Sequence, residues 1–406
     1  MTHPVSHLPV HIAFSWLGVA RRTPQGIAMG AEFGPYVETL ASMVDRVTVL
    51  AYDPPPVAAG TEDLAEYVVR SDRDNVDVVS LGPKGTWRDY RQRRRRVSRI
   101  VSDASPAWDV LLLRFGRRSH LVFDASRCPR TVTLVHGPAA AGVGVETATL
   151  QERAVGAALS LRTRWHLRRI LRRSRVLVTD GEECLELYGR YVDRASVIRL
   201  SVRRAEHAFR VHDRLTGPDP RFLFVGQLSR KKGIAETIRV FAAIRASLAT
   251  AQLDVVGSGP DEAAARRLVH DAGIDGAVTF HGRIPPGDEL FSRYRSADVL
   301  LFLSRSTTES FPRVVSEALA HSVLVIATPV GSLPRAFTDR HELLFVQPSA
   351  DAVVDAVRTL TSDPELRQSM LERGRSWSAQ TSLEHTSDAL VSTIAKCWPE
   401  LQGSST

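Results

Sequence analysis

The chain has 406 residues, of which 43% are hydrophobic and 24% are charged, a composition typical of a globular protein and unlike that of a disordered or fibrous one. Its length favours two domains over a single one. No apolar run approaches the roughly 20 residues that a membrane-spanning helix needs, and the first residues lack the pattern of a secretory signal.

The net charge of +8 is unevenly distributed. Residues 1–210 carry 32 basic against 22 acidic side chains, whereas the remainder carries 21 against 23. This excess favours an anionic partner such as a phospholipid headgroup or a phosphorylated acceptor, although the Arg-rich usage of a GC-rich genome explains it equally well. Nucleic acid is not expected as a partner, because no known binding module is recognisable. The three widely spaced cysteines predict a reducing, cytoplasmic compartment and neither a disulfide framework nor a metal site.

In chain order, the first half alternates predicted strands with predicted helices. Strands are expected at 10–14, 46–51, 76–81, 109–113, 131–135, 175–179 and 196–200, and helices at 33–43, 89–103, 150–173 and 182–191. Such alternation is typical of a parallel sheet with helices on its faces. We therefore predict an N-terminal Rossmann-like domain over residues 1–205 and a polar linker over residues 206–220.

The same pattern restarts after the linker. Strands are expected at 221–225, 253–256, 278–280, 298–303, 323–327 and 343–346, and helices at 235–248, 261–272, 287–294 and 311–320. This predicts a second Rossmann-like domain over residues 221–380, followed by a C-terminal helix within residues 381–406 that packs back on the N-terminal domain. The predicted fold class is α/β with two doubly wound domains, whose ligands bind beyond the carboxyl ends of the strands.

The loop after the first strand of the second domain has the composition of a phosphate site. It contains Gly226 and a run of three cations, Arg230, Lys231 and Lys232, just before a predicted helix. A helix N-terminus carries about half a positive charge, and the combination suits a diphosphate. A solvated basic loop is an equally good interpretation of this segment alone.

A second polar segment follows the predicted strand at 298–303. Glu309 lies at the junction of loop and helix, Pro312 suits a first helical turn, and Glu317 follows two turns later. Carboxylates at such positions can bind sugar or ribose hydroxyls, but a helix cap and an exposed helix residue would look the same. The turn over residues 257–260, Gly-Ser-Gly-Pro, adds a weak signal of the same kind.

Together these motifs identify a family that none of them identifies singly. The order Gly-x-Leu, Lys-Gly, Gly-x-Gly-Pro and Glu-seven residues-Glu, with His136 after a buried strand of the first half, resembles the retaining glycosyltransferases of family 4, also called glycosyl transferases group 1. The resemblance covers residues 221–347 well and the N-terminal half loosely. It implies the GT-B fold, in which two Rossmann-like domains face each other across a cleft.

The resemblance also implies a role for each matching residue. It places Glu309 and His136 at the reacting sugar as catalytic residues, although His136 read alone fits a structural histidine better. It assigns donor binding to seven further residues: Gly226, Arg230, Lys232, Arg283, Ser310, Phe311 and Glu317. Within this set, the resemblance implies that Lys232 binds the diphosphate and that Glu317 binds the ribose hydroxyls. The N-terminal domain would bind the acceptor.

The implied reaction moves a sugar from a nucleoside diphosphate sugar to an acceptor hydroxyl, without a metal or other cofactor. Gln227 departs from the family, which usually has Arg there, so a charge is lost near the diphosphate. Three alternatives stay open: a nucleotide-sugar epimerase, a phosphorylase, or a non-catalytic sugar-nucleotide-binding protein.

Two Arg-rich helical segments, 88–99 and 162–175, suit either an anionic membrane surface or an ordinary solvated face. The first interpretation predicts a protein peripheral to the inner face of the membrane. It also favours a saccharide or lipid-linked acceptor in the assembly of cell-surface polysaccharide or glycolipid.

Overall fold

The structure is a computed structural model that describes residues 7–31, 33–54, 66–69, 74–85, 88–116, 118–137, 150–199, 203–204, 215, 217–306 and 310–402. The strands are β1 Leu8–Thr23, β2 Gly26–Gly30, β3 Val44–Asp53, β4 Glu66–Val69, β5 Val76–Pro83, β6 Val110–Arg114, β7 Thr131–Val135, β8 Arg175–Thr179, β9 Arg194–Val197, β10 Arg221–Val225, β11 Gln252–Val256, β12 Val278–Gly282, β13 Val299–Phe302, β14 Leu324–Ala327 and β15 Leu344–Phe345.

The helices alternate with these strands through most of the chain. They are α1 Gly34–Met43, α2 Tyr90–Ala104, α3 Ser119–Ala125, α4 Leu150–Ser174, α5 Glu182–Tyr188, α6 Ile234–Ser247, α7 Glu262–Asp271, α8 Asp288–Ser296, α9 Arg313–Ala320, α10 Leu333–Ala336, α11 Ala350–Ser362, α12 Pro364–Ala379 and α13 Leu383–Cys397. None of the helices in the described residues is long and apolar enough to cross a bilayer.

The chain divides into two compact units. Unit 1 comprises residues 1–202 and 383–406, and unit 2 comprises residues 203–382. The C-terminal helix α13 belongs to unit 1 because Leu383, Leu390 and Ile394 are buried in the core that β1 and α1 also line. Of the linker predicted at 206–220, the structure describes residue 215 and residues 217–220.

Unit 1 is built on a parallel sheet in the order β5-β3-β1-β6-β7-β8-β9. Alternate side chains of one strand face opposite sides, so Val110 and Leu112 of β6 enter one core and Leu111 and Leu113 enter another. Burial on both faces explains why this strand is a continuous apolar run.

An antiparallel extension at β1 was not predicted. β1 continues past a register shift between Ser15 and Val19, where Leu17 has φ +56°, and its second half pairs with β2, which pairs with β4. The predicted strand at 10–14 therefore covers only the parallel part of β1. Arg21 and Arg22 interrupt the apolar pattern there, and both side chains are exposed although successive residues of a strand face opposite sides.

Helices α3 and α4 of unit 1 pack through two stacked imidazoles. The rings of His120 and His166 lie 4.1 Å apart with an interplanar angle of 21°, and the Tyr90 hydroxyl of α2 is 3.3 Å from His120 Nε2. Burial lowers the pKa of His120 to about 4 and also lowers the pKa of His166. Both rings are therefore neutral at pH 7 and can stack without charge repulsion.

Unit 2 has a fully parallel sheet in the order β12-β11-β10-β13-β14-β15. This is the Rossmann order, in which the connections reverse direction between the first and fourth strands, here β10 and β13. The predicted fold class of two doubly wound α/β domains is thus confirmed. Ligands of doubly wound sheets bind at this reversal, beside the loops that follow β10 and β13 here.

Candidate functional site

Backbone hydrogen bonds join the loops that follow β10, β11 and β12 in unit 2. The Gly226 amide donates to the Val256 carbonyl at 3.0 Å, and the Leu228 amide donates to the Ser258 carbonyl at 3.0 Å. The Gly257 amide donates to the Gly282 carbonyl at 2.7 Å. Three loops that are distant in sequence are thereby fixed into one surface at the carboxyl edge of the sheet.

Glycine is required where these loops touch. A Cβ on Gly257, whose φ is +140°, would lie 1.8 Å from the Gly226 carbonyl oxygen. A Cβ on Gly259 would lie 2.4 Å from the Leu228 carbonyl oxygen, and one on Gly233 would lie 2.1 Å from the Leu303 carbonyl oxygen. The Gly-Ser-Gly-Pro turn, a weak signal in the sequence, therefore has a definite steric role.

The three cations form a single 3₁₀ turn before α6. Gly233, with φ +76°, ends this turn and begins the helix. The Arg230 amide donates to Asp261 Oδ2 at 2.6 Å, and the Lys231 carbonyl accepts from Ser304 Oγ at 3.1 Å. Arg230 and Lys231 are exposed, while Lys232 is half-buried. The turn is therefore held against the loop after β11 on one side and the loop after β13 on the other.

Glu317 is a buried carboxylate that accepts a hydrogen bond from a tyrosine. Its side chain lies on α9 and is 7% exposed, and its Oε2 accepts a hydrogen bond of 2.8 Å from the Tyr294 hydroxyl on α8. Burial, together with the Glu317 charge, raises the pKa of Tyr294 well above its usual value, so the phenol stays protonated and donates. A buried carboxylate with unused acceptor capacity is suited to bind hydroxyl groups.

Other residues predicted for the donor site lie at the same edge of the sheet. Ser310 and Phe311 precede α9 and are buried; the Ser310 carbonyl accepts from the Ser332 amide at 2.8 Å. Phe311 stacks on Trp377 with ring centroids 5.6 Å apart. Arg283 follows β12 and is exposed. Glu309, the predicted catalytic carboxylate, lies outside the described residues.

In unit 1, His136 follows β7 at the carboxyl edge of the sheet, as predicted. Its Nδ1 lies 3.4 Å from Oδ2 of Asp180, the residue after the neighbouring strand β8. Within the described residues, His136 Nε2 is buried and has no hydrogen-bond partner. A carboxylate on one ring nitrogen fixes the ring and leaves the other nitrogen for a ligand.

An aromatic cluster beside His136 was not predicted from the sequence. The rings of Trp16 and Phe33 lie 3.7 Å apart, and the Arg114 guanidinium lies 4.6 Å from the Trp16 ring and 4.7 Å from the Phe33 ring. Phe33 also lies edge-on to His136 at 6.5 Å. Asp180 and Arg114 lie at the carboxyl ends of strands, as His136 does. The position after a strand that indicated His136 in the sequence therefore indicates these two residues as well.

The predicted site residues thus fall into two groups. The seven residues predicted for the donor site lie in unit 2, in loops or at helix starts that follow its strands, and unit 1 contains His136 with its unpredicted neighbours. Within the described residues, no three His, Cys, Asp or Glu side chains are grouped as metal ligands.

Residues 208–377 match the sequence profile of the family described as "Glycosyl transferases group 1". A D-inositol 3-phosphate glycosyltransferase of Pseudarthrobacter chlorophenolicus is 35% identical over 213 residues, which are 48% of this chain and 50% of the relative. A GDP-mannose-dependent alpha-(1-6)-phosphatidylinositol monomannoside mannosyltransferase of Mycobacterium tuberculosis is 32% identical over 167 residues, 40% of this chain and 43% of the relative. The chain thus spans about half the length of these curated relatives.

Solved structures resemble the chain over nearly its whole length. Sucrose-phosphate synthase of Thermosynechococcus elongatus matches 98% of this chain and 100% of its own with a TM-score of 0.68 and 18% identity. Anabaena HepE in complex with UDP-glucose matches 95% of this chain and 100% of its own with a TM-score of 0.64 and 15% identity. These likenesses show the fold, and the profile match over residues 208–377 agrees with the resemblance to glycosyl transferases group 1.

Proposed function

We propose that this chain, whose residues 208–377 form a glycosyl transferases group 1 domain, is a retaining glycosyltransferase that moves a sugar from a nucleoside diphosphate sugar to an acceptor hydroxyl. One observation carries the proposal: the loop after β10 is hydrogen-bonded to the loop after β11 and to the loop after β13, beside the topological switch point of unit 2, where doubly wound sheets bind nucleotides.

The basic turn before α6 supplies the chemistry for a leaving diphosphate. Lys232 and Arg230 precede a helix N-terminus, and cations together with free amides at such a position stabilise negative charge. Charge stabilisation of this type, aimed at the group whose charge grows in the transition state, is commonly the largest catalytic contribution. In this proposal these groups neutralise the diphosphate without a metal ion.

Glu317 supports the nucleoside part of the donor site. Its Oε2 is engaged by Tyr294, so Oε1 is oriented and available to accept from ribose hydroxyls. Ser310 and Phe311 precede the same helix and belong to the sugar and phosphate end of the site. Glu309, which the family resemblance places at the anomeric carbon, has the proposed role of orienting the sugar and stabilising its positive charge.

Unit 1 contains the residues proposed to recognise the acceptor. The Arg114 guanidinium contacts the paired rings of Trp16 and Phe33, and these contacts restrict its orientation; a guanidinium held in this way is suited to bind a phosphate or carboxylate. The two curated relatives are named for an inositol phosphate and for a phosphatidylinositol mannoside, both of which contain phosphate. A phosphorylated or lipid-linked saccharide acceptor, used in glycolipid or cell-surface polysaccharide assembly, agrees with this chemistry.

A thermal-shift panel of UDP, GDP, ADP and their sugars tests the donor site. We expect one nucleotide family to raise the unfolding temperature of the wild type. The Glu317→Gln variant should bind that nucleotide about ten- to a hundredfold more weakly, because a hydrogen bond to a charged group contributes about 1.5–3 kcal/mol. Tyr294→Phe, which only frees the carboxylate to rotate, should have a smaller effect in the same direction.

Glu289→Ala is the matched control, because Glu289 is an exposed carboxylate on the helix that carries Tyr294. Its nucleotide affinity should equal that of the wild type. If Glu317→Gln bound the nucleotide as tightly as the wild type, Glu317 would not belong to the donor site. Release of nucleoside diphosphate that requires an acceptor would then separate a transferase from an epimerase, and dependence on inorganic phosphate would indicate a phosphorylase.

We further propose that helix α4 contacts an anionic membrane surface. Leu161 and Trp165 are 66% and 59% exposed, and Arg168 and Arg172 continue the same exposed face at helical spacing. Apolar side chains among arginines are typical of helices that lie on anionic lipid. The Arg93–Arg96 segment fits this role less well than the sequence indicated, because Arg93 is 3% exposed and donates to the Lys84 carbonyl.

Vesicle sedimentation tests this contact. We expect the wild type to bind phosphatidylcholine vesicles that contain phosphatidylglycerol, and the double variant Leu161→Ser, Trp165→Ser to bind them about thirtyfold more weakly or worse, since each lost apolar side chain removes roughly 1 kcal/mol or more. A double variant at the exposed Arg94 and Arg95 of α2, each changed to Gln, controls for charge in general. Failure of the wild type to bind these vesicles would refute the membrane proposal.

A further inference from the structure

Unit 1 contains a pocket that the proposed reaction does not use. Its volume is about 750 Å³, within the range of small-molecule sites, and it lies where β8 and β9 begin and α13 ends. The side chains that matter for its chemistry are Arg173, Arg175, Asp193, Arg194, Cys397 and Trp398. His136 and Asp180 lie at the other edge of this sheet, separated from the pocket by the five residues of β8, or about 16 Å.

One wall of the pocket is held in a strained conformation. Arg175 has φ +65°, a value that residues other than glycine rarely adopt. Its Nε donates to Asp193 Oδ2 at 2.5 Å, and its carbonyl accepts from the Asp193 amide at 3.0 Å. Arg175 directly follows α4, and a left-handed residue commonly ends a helix, so the turn and the two contacts with Asp193 hold this wall in place.

The pocket has an excess of positive charge. Asp193 pairs with Arg175, and the Arg173 guanidinium lies over the Phe123 ring, whereas Arg194 has no carboxylate contact within the part of the chain that the structure describes. Burial raises the pKa of the Cys397 thiol, with the Arg194 charge acting in the opposite direction. The raised pKa keeps the thiol neutral at pH 7, so it does not offset the arginine charges.

The remaining wall is aromatic. Trp398 is half-buried and packs against the hydrophobic core of unit 1, and this packing restricts the position of its ring. A fixed indole beside guanidinium groups offers a flat apolar surface and anion-binding donors in one site. We propose that this pocket binds a small soluble organic phosphate whose remaining part is planar or apolar.

Isothermal titration with phenyl phosphate tests the proposal, because this probe joins one phosphate to one aromatic ring. The wild type should bind phenyl phosphate about tenfold more tightly than inorganic phosphate, and Arg194→Gln should weaken phenyl phosphate binding by about tenfold or more. In Trp398→Leu, the affinity for phenyl phosphate should fall to that for inorganic phosphate. Arg194 is exposed, so its replacement should leave the unfolding temperature unchanged.

Two controls separate this pocket from other phosphate sites. Arg95→Gln removes an exposed arginine elsewhere in unit 1 and should bind the probe as the wild type does. Lys232→Ala, which affects the proposed donor site, should also retain phenyl phosphate binding at the pocket. The proposal fails if the wild type does not bind phenyl phosphate or if Arg194→Gln binds it equally well. Vesicle binding that depends on Arg194 would overturn the soluble-ligand assignment in favour of a lipid headgroup.

Discussion

Replacing Lys232 by alanine is expected to lower kcat/KM for donor turnover by about 10²- to 10³-fold, the usual cost of removing one group that stabilises developing negative charge. Lys232 is the half-buried member of the basic turn that Gly233 closes before α6. Partial burial strengthens its interaction with a diphosphate, because water screens the charge less there. The measurement is release of nucleoside diphosphate from the donor sugar identified by the thermal-shift panel.

Lys231→Ala is the matched control for Lys232→Ala. Lys231 is exposed, and the hydrogen bonds that anchor the loop after β13 go to its backbone carbonyl, which alanine retains. Its turnover should therefore stay within about threefold of the wild type, since exposed charges contribute little. Equal losses in the two variants would show that general positive charge, rather than the position of Lys232, supports the reaction.

Replacing Gly257 by alanine is expected to destabilise unit 2 by about 3 kcal/mol or more and to abolish nucleotide binding. The new Cβ would lie 1.8 Å from the Gly226 carbonyl oxygen, and φ +140° is unfavourable for any residue with a Cβ. The position of the Cβ is set by the backbone, and the carbonyl oxygen belongs to the backbone, so neither atom can rotate away from the other. The loops after β10 and β11 must separate, which disrupts the surface that precedes the basic turn.

Chemical denaturation with a separate probe for each unit measures this effect, because a chain with two units need not unfold in one step. Gly276→Ala is the control: a Cβ there has no neighbour within 4 Å, so the change in stability should be within about 0.5 kcal/mol. If Gly257→Ala kept wild-type stability and nucleotide affinity, the close packing of the two loops would have no role in the site.

The alternation of strands and helices was predictable because it depends on local periodicity. Buried parallel strands are short apolar runs between turn residues, and β6, β8, β10 and β13 all have this form. The antiparallel extension through β2 and β4 was not predictable in this way. Its strands are stabilised by pairing with β1 rather than by their own pattern, and pairing partners are not visible from local sequence.

The candidate site was predictable in part for a related reason. Gly226, Lys232 and Glu317 stand out because they belong to compact motifs next to strand or helix ends. Tyr294 and Trp16 belong to no motif. Their importance comes from side chains that meet only after the chain has folded, 23 residues apart for Tyr294 and Glu317.

The sequence by itself determined that this chain forms two doubly wound α/β domains and that the second resembles glycosyl transferases group 1. These properties are local, since a strand, a helix start or a basic loop is encoded within a few consecutive residues. Tertiary structure alone decided that Glu317 is buried against Tyr294, that Gly257 must lack a side chain, and that Arg114 contacts two aromatic rings. Each of these depends on the path of the chain, because it requires groups far apart in sequence to occupy neighbouring positions in space.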